Sequence, residues 1–388
     1  MNGSINNTTE VRGDLCPRVG VVSWYSCIFE LYAPSAFFVD KYVSPILYFI
    51  GLVGNLLTIK IWSRRIRKTN TSALYLTVLA VSDLVLLALH SVMELQFTWN
   101  VSTLNKLVWC PTFFVFYMFA QYMSPLLIMG FTLERFISIA IPFKGERFSR
   151  RNRGALEIVA IIILSLLLAV PQVFGWTVFP DGECQGTGIK FFEIWIWVSD
   201  ILVFCAFPLA SLILNILVIN ALSRSFRLRR DTVPSFKLNS FSSKLLKTRR
   251  KEQTKQRSLR VSTVTLLCVS FYRLFTVIPV AIIFALQYRI PTGDETLSVS
   301  EIGKDSTWKT FFDYLIAKKI IDEIGLSQYS LNCFLYYLTA NYFRNEVCRL
   351  FRSLTECRVG ITEFRGRRRG TESSSKGTLL STQKSFYD

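Results

Sequence analysis

Thr132-Leu133-Glu134-Arg135-Phe136 closes a long apolar stretch, residues 110–141, and the fold can be read outward from it. An ionised Glu-Arg pair is costly in such a place, and a charged residue at the edge of a membrane span is by default a functional residue. Six more apolar stretches flank it, at 36–62, 73–97, 155–176, 192–222, 258–287 and 313–339. Each is long enough to carry a helix across a bilayer, which takes roughly 18–20 apolar residues. The stretches at 110–141 and 192–222 contain polar residues and are assigned partly from their place in the series. The 388 residues are 51% hydrophobic, with mean hydropathy +0.35. Together these features predict an all-α membrane protein, a seven-transmembrane helix bundle. The first stretch begins far from Met1, is too long for a cleaved signal peptide and has no basic segment before it.

The basic residues set the expected orientation, because Lys and Arg favour the cytoplasmic side of short loops. Arg64, Arg65, Arg67 and Lys68 follow the first stretch, and Lys144, Arg147, Arg150, Arg151 and Arg153 follow the third. Segment 223–257 is the most basic and includes Arg249-Arg250-Lys251. The alternate loops are poorer: 98–109 holds only Lys106, and 177–191 only Lys190. The N-terminus is therefore expected outside and the C-terminus inside. The net charge of +18 follows from this topology. Split over separate loops, it suits membrane lipid headgroups rather than nucleic acid.

Asn2, Asn6, Asn7 and Asn100 head glycosylation tripeptides, all on the expected outer side. Cys16, Cys27, Cys110 and Cys184 also fall outside, where disulfides persist; Cys16 with Cys27 would close a small N-terminal loop. Cys348 and Cys357 lie just beyond the last stretch and are candidates for reversible palmitoylation. The one histidine, His90, is expected as a hydrogen-bonded pocket or core residue. No His/Cys cluster has zinc-ligand spacing and no phosphate-binding glycine loop occurs, so neither an enzyme nor a resident cofactor is expected.

Several short motifs fall in order along the stretches: Gly54-Asn55, Leu79-Ala80-Val81-Ser82-Asp83, Glu134-Arg135-Phe136, Pro171, Pro208, Pro279 and Asn332-Cys333-Phe334-Leu335-Tyr336. With this set, residues 36–351 resemble a rhodopsin-like (class A) G-protein-coupled receptor. The resemblance implies a disulfide between Cys110 and Cys184, pinning the loop after span four over the bundle. It implies a sodium ion with water at Asp83, Ser124 and Asn332, with Asn55 beside them. It also implies that Glu134 holds Arg135 at rest, and that Arg135 turns toward a heterotrimeric G protein when span six swings outward about Pro279. Asn332 and Tyr336 belong to the same activation machinery. Asn341-Tyr342-Phe343-Arg344-Asn345-Glu346-Val347 resembles the start of the amphipathic eighth helix. The expected layout is an extracellular glycosylated N-terminus, 1–35; the bundle, 36–340; helix eight, 341–352; and a cytoplasmic tail, 353–388, disordered by composition. The tail's Thr371, Ser373, Ser374, Ser375, Thr378, Ser381, Thr382 and Ser385 suit receptor kinase and arrestin.

The chain departs from the family pattern at definite places. Val277 stands where the family has a tryptophan two residues before the span-six proline. Arg273 replaces an aromatic lower on that helix, and an arginine inside a span is costly unless paired. Ile161 or Ile162 stands near the span-four tryptophan, Ile216 replaces a span-five tyrosine, and Cys333 a span-seven proline. These changes bear on the activation relay, and they keep a receptor-like scaffold without G-protein coupling as the alternative. A seven-helix transporter, which calls for repeated halves or a charged through-path, is the more distant one.

Tyr117 occupies the position where amine receptors carry an aspartate, and Lys318 and Lys319 lie about two turns outward of the retinal lysine of opsins. The expected pocket is aromatic and acidic, lined by Glu94, Tyr117, Gln121, Asp200, Phe284, Asp322 and Glu323. Carboxylates in an apolar cavity suit a cationic side chain such as Arg, and aromatic rings add cation–π contact. The loop 289–312 is long enough to touch a large ligand. The predicted ligand is an extracellular peptide, in the manner of invertebrate neuropeptide receptors of the FMRFamide or thyrotropin-releasing-hormone kind. The competing expectation is that some of these acids pair internally with Lys318, Lys319 or Arg273.

Overall fold

The computed structural model describes residues 16, 21–66, 71–140, 150–231, 243–287 and 289–352. Asn2, Asn6, Asn7, Cys357 and the hydroxyl-rich tail lie outside the described residues. Residues Met1–Ala340 form one compact unit and Asn341–Asp388 a second. In the second unit residues 341–352 are helical, with Arg349 Nη1 donating to Glu346 Oε1 at 3.0 Å. Cys348 is an exposed free thiol there.

Six described helices are long and apolar enough to cross a membrane: Pro34–Ile66, Thr71–Phe97, Trp109–Ile137, Asn152–Phe174, Lys190–Ala221 and Thr263–Leu286. The last belongs to a longer helix, Ser243–Gln287, and the fifth span runs on to Asp231. Most of the basic segment 223–257 is thus helical extension of its neighbours. The seventh span is Ser306–Ser330, broken at Leu331, then Asn332–Thr339. Its charges, Lys309, Asp313, Lys318, Lys319, Asp322 and Glu323, keep it out of the apolar set. It starts seven residues before the expected 313 because the Asp305 side chain caps it, accepting from the Trp308 N–H at 2.8 Å.

Prolines shape the spans locally. Pro45 and Pro208 have no N–H, so the carbonyls of Lys41 and Phe204 lose their α-helical donors. Just ahead of each proline the helix loosens into a π turn, Val39–Val43 and Ile201–Ala206. Pro125 and Pro279 sit inside continuous helices. Span four tightens into a 3₁₀ turn, Val170–Phe174, around Pro171.

The packed centre lies between spans two and three, where Leu86, Leu87, Phe113, Phe114 and Ala120 are buried together. Span one approaches spans two and seven through glycine: a Cβ on Gly51 would stand 2.3 Å from Leu87 Cδ1, and one on Gly54 would stand 3.0 Å from Cys333 Cβ. Large apolar side chains such as Phe49, Leu167, Ile213 and Phe275 remain exposed around the bundle, as a lipid-facing surface requires.

Two structures cover one end of the bundle. A short hairpin pairs Trp176–Val178 with Cys184–Gly186, and Cys184 is bonded to Cys110 at the start of span three. The Trp176 ring stacks on Phe114, 3.5 Å between centroids. Beside it, helix Val21–Tyr32 carries the second disulfide, Cys16–Cys27. Its Trp24 and Ile28 pack on Trp308 and Phe312 of span seven. Tyr25 hydroxyl donates to Glu295, and burial together with that bond pushes the Tyr25 phenol above its ordinary pKa. The loop expected to reach a ligand, 289–312, is thus engaged by this N-terminal helix and contributes no cavity-lining residue.

Candidate functional site

Below the hairpin the helices enclose a cavity of about 640 Å³, within the usual range of roughly 300–1,000 Å³ for small-ligand pockets. Glu94, Tyr117, Gln121, Asp200, Phe284, Asp322 and Glu323 all line it, so residues chosen from four separate stretches of sequence plus span six converge on one space. Asp40, His90, Lys318 and Lys319 join them. Asp40 was not anticipated; its sequence signal is a lone acid, next to Lys41, in a mainly apolar first span.

Five carboxyl groups thus meet two lysines on the wall. Lys318 Nζ lies 2.6 Å from Asp322 Oδ2, one helical turn away, and Lys319 donates to Asp40. Internal pairing therefore claims Asp322, one of the expected ligand acids. Glu94 accepts from Thr98 hydroxyl and Glu323 from Ser44 hydroxyl. Asp200 Oδ1 accepts from Tyr122 hydroxyl at 3.1 Å. None of these last three has a Lys or Arg within 4.0 Å among the described residues. Gln121 Oε1 and Glu323 Oε2 meet no donor among the described residues. Such buried acceptors ordinarily find a partner, and here the cavity is where one would come from. His90 Nδ1 is 2.7 Å from Tyr48 hydroxyl, a hydrogen-bonded pocket residue.

Deeper in the bundle is a polar centre. Asp83 is fully buried; its Oδ1 accepts from Ser124 hydroxyl at 3.1 Å and its Oδ2 from Asn332 Nδ2 at 2.8 Å. Asn55 is turned elsewhere, donating to the Tyr329 carbonyl at 2.8 Å. Arg273 reaches the same centre from span six: its Nη1 donates to Ser124 Oγ at 2.8 Å. Its guanidinium carbon is 5.6 Å from the Tyr329 ring centroid. A sodium ion needs oxygen ligands, and the groups pointed at Asp83 and Ser124 include N–H donors from Asn332 and Arg273. The residues present do not fit the sodium site implied by the family resemblance.

A second polar cluster closes span three. Glu134 and Arg135 are both buried, with Arg135 Nε 3.3 Å from Glu134 Oε2. Arg135 also donates to Ser72 hydroxyl at the start of span two, and lies 5.2 Å from the Phe131 ring centroid. Arg153 Nη2 stands 3.9 Å from Glu134 Oε1, and its Nε 3.7 Å from Glu157 Oε1. Glu157 Oε2 accepts from Tyr75 hydroxyl at 2.5 Å. Tyr75 and Glu157 escaped the sequence reading, although the Arg153–Glu157 spacing of four residues was a usable signal. Ser72 and Glu94, which mark the two sites on span two, are 22 residues apart, about 33 Å along a helix. The cavity and the Arg135 cluster therefore occupy opposite ends of the bundle.

Residues 54–313 match the family described as 7 transmembrane receptor (rhodopsin family). The chain is similar to the pyrokinin-1 receptor of Drosophila melanogaster, 26% identical over 34% of this chain and 30% of that protein. It is similar to leukotriene B4 receptor 1 of Bos taurus, 30% identical over 33% of this chain and 37% of that one. It is also similar to growth hormone secretagogue receptor type 1 of Oryctolagus cuniculus, 29% identical over 43% of this chain and 50% of that one. The chain thus matches half or less of the length of these relatives. A bundle of seven spans, a disulfide-pinned hairpin over a central cavity and a Glu-Arg pair closing span three define a multi-pass membrane receptor. The chain belongs to the rhodopsin family of seven-transmembrane receptors.

Proposed function

We propose that this protein is a plasma-membrane receptor for an extracellular peptide bearing a cationic group, coupled to a heterotrimeric G protein. The cavity with the Cys110–Cys184 hairpin faces outside, and the Arg135 cluster and the basic loops face the cytoplasm. The observation that carries the ligand class is the excess of carboxyl groups over lysines in the cavity, with Glu94, Asp200 and Glu323 free of ion pairs within 4.0 Å among the described residues. An apolar wall with a few unpaired carboxylates favours a charge-assisted bond to an arginine or an amine. The matched relatives include receptors named for pyrokinin and for a growth hormone secretagogue. Glu134 holds Arg135 at rest, and outward movement of span six about Pro279 exposes Arg135 to the G protein. Asn100, exposed at the hairpin end, carries glycan together with Asn2, Asn6 and Asn7. Cys348 and Cys357 carry palmitate, and the phosphorylated tail engages arrestin.

A panel of amidated peptides tests the ligand class, each paired with a citrulline-for-arginine analogue and read by calcium release in cells expressing the receptor. The expected result is a response to an arginine peptide that its citrulline analogue evokes only at much higher concentration. Responses indifferent to the peptide's charge would refute the reading. A second reading, a receptor-like scaffold, is favoured by Val277, Arg273 and Ile216, which break the family's activation relay. Peptide binding without nucleotide exchange would establish that reading instead.

A further inference from the structure

Arg273 is the least expected residue of the bundle. It lies six residues before Pro279 in the middle of span six and is only 4% exposed. A buried guanidinium cannot shed its proton and needs an anionic or strongly accepting partner. The nearest anionic group to which its bonds lead is Asp83. Arg273 Nη1 donates to Ser124 Oγ, 2.8 Å, and the Ser124 hydroxyl in turn donates a hydrogen bond to Asp83 Oδ1, 3.1 Å. Asn332 Nδ2 fills the second carboxylate oxygen, 2.8 Å. Ser124 thus accepts from the cation and donates to the anion, which is the polarity a relayed ion pair requires. The four residues come from spans six, three, two and seven, and each is at least nine-tenths buried.

We propose that Arg273 is itself the cation of the Asp83 site: a counter-ion tethered to span six that closes the site to sodium. A free ion would have to displace a guanidinium covalently fixed to the bundle, which cannot diffuse away from the site. Unlike a diffusible ion, this cation leaves only when its helix moves. It therefore ties span six to spans two, three and seven, and its withdrawal uncovers Asp83 and Asn332 together. The proposal rests on the seven-span receptor fold and is independent of the ligand class and of coupling.

The test is thermal unfolding of the purified full-length receptor in NaCl against choline chloride at equal ionic strength, with no ligand needed. The wild type is expected to unfold at the same temperature in both salts. Arg273→Met removes the charge and keeps the length, and it is expected to gain a saturable sodium-specific rise on the order of a few degrees. Adding Asp83→Asn should abolish that rise. Sodium-specific stabilisation of the wild type that Asp83→Asn removes would overturn the proposal, as would an Arg273→Met receptor indifferent to sodium. If Arg273→Met alone fails to fold, the pairing is read from expression. The Asp83→Asn/Arg273→Met double variant should recover relative to either single one, and no recovery would overturn the pairing. None of these outcomes depends on nucleotide exchange, so failure here and failure of the coupling reading are separable.

Discussion

Glu94→Gln is the sharpest test of how the cavity reads charge. Glu94 is buried near the outer end of span two, held by the Thr98 hydroxyl one turn on, and has no ion-pair partner within 4.0 Å among the described residues. Glutamine keeps the volume and an acceptor for Thr98, so the substitution removes charge and little else. A hydrogen bond to a charged group contributes roughly 1.5–3 kcal/mol, which corresponds to about 10- to 150-fold in affinity. Lys319, already engaged by Asp40, lines the same cavity as Glu94 and offsets part of its charge, so the lower half of that range is expected. The assay is competition binding of an arginine agonist and its citrulline analogue to wild-type and Glu94→Gln membranes, a cycle that isolates the pairwise interaction. The arginine peptide should lose about tenfold or more and the citrulline peptide should be nearly unchanged. Equal losses would show that Glu94 serves the fold, and the charge-recognition reasoning would be wrong.

Cys184→Ser should release the hairpin from span three; native disulfides contribute about 2–5 kcal/mol in small secreted domains, so surface expression or ligand affinity should fall in a cell-surface binding assay. Gly54→Val would drive a side chain into Cys333 Cβ, already only 3.0 Å from an added Cβ; overpacking costs about 1–3 kcal/mol, and the melting temperature of the purified receptor should drop accordingly. In the loop before span seven, hydrogen bonds from the Ser298 side chain and backbone hold the Glu301 carboxyl below its ordinary pKa. Its stabilising contribution is therefore complete above the usual carboxylate range and lost as pH falls through the lowered value, so protection from hydrogen exchange at Val299–Ile302, taken relative to the unstructured rate at each pH, should fall on acidification in wild type and stay unchanged over the same step in Glu301→Gln.

Much of this architecture is legible in the sequence because a bilayer imposes a coarse rule: a run of about 20 apolar residues must be a spanning helix. Seven runs mark the seven spans, and the Glu134-Arg135 and Asp83 motifs fix their order. The cavity wall was legible for a related reason, since acids inside apolar stretches have to face inward. What the sequence hides are pairings between distant spans. Nothing local tells that Lys319 meets Asp40, that Tyr75 meets Glu157, or that Arg273 reaches Ser124. The N-terminal helix Val21–Tyr32 was missed because its apolar face is ordinary until Trp308 and Phe312 are placed beside it. The π turns ahead of Pro45 and Pro208 were also missed, since a proline announces a lost donor but not how the neighbouring carbonyls are satisfied.

The central claim is that a peptide in the cavity drives nucleotide exchange through Arg135, whose partner Ser72 stands 22 residues before Glu94 on span two. The direct measurement is GTP-analogue uptake by a purified heterotrimer mixed with receptor in lipid nanodiscs, saturated with an arginine agonist, for wild type and Arg135→Ala at matched peptide occupancy. The account predicts peptide-stimulated exchange in wild type and exchange at the receptor-free rate in Arg135→Ala, with peptide affinity retained within a few fold. Equal stimulated exchange in both proteins, or saturated peptide binding to wild type with no exchange at all, would contradict it.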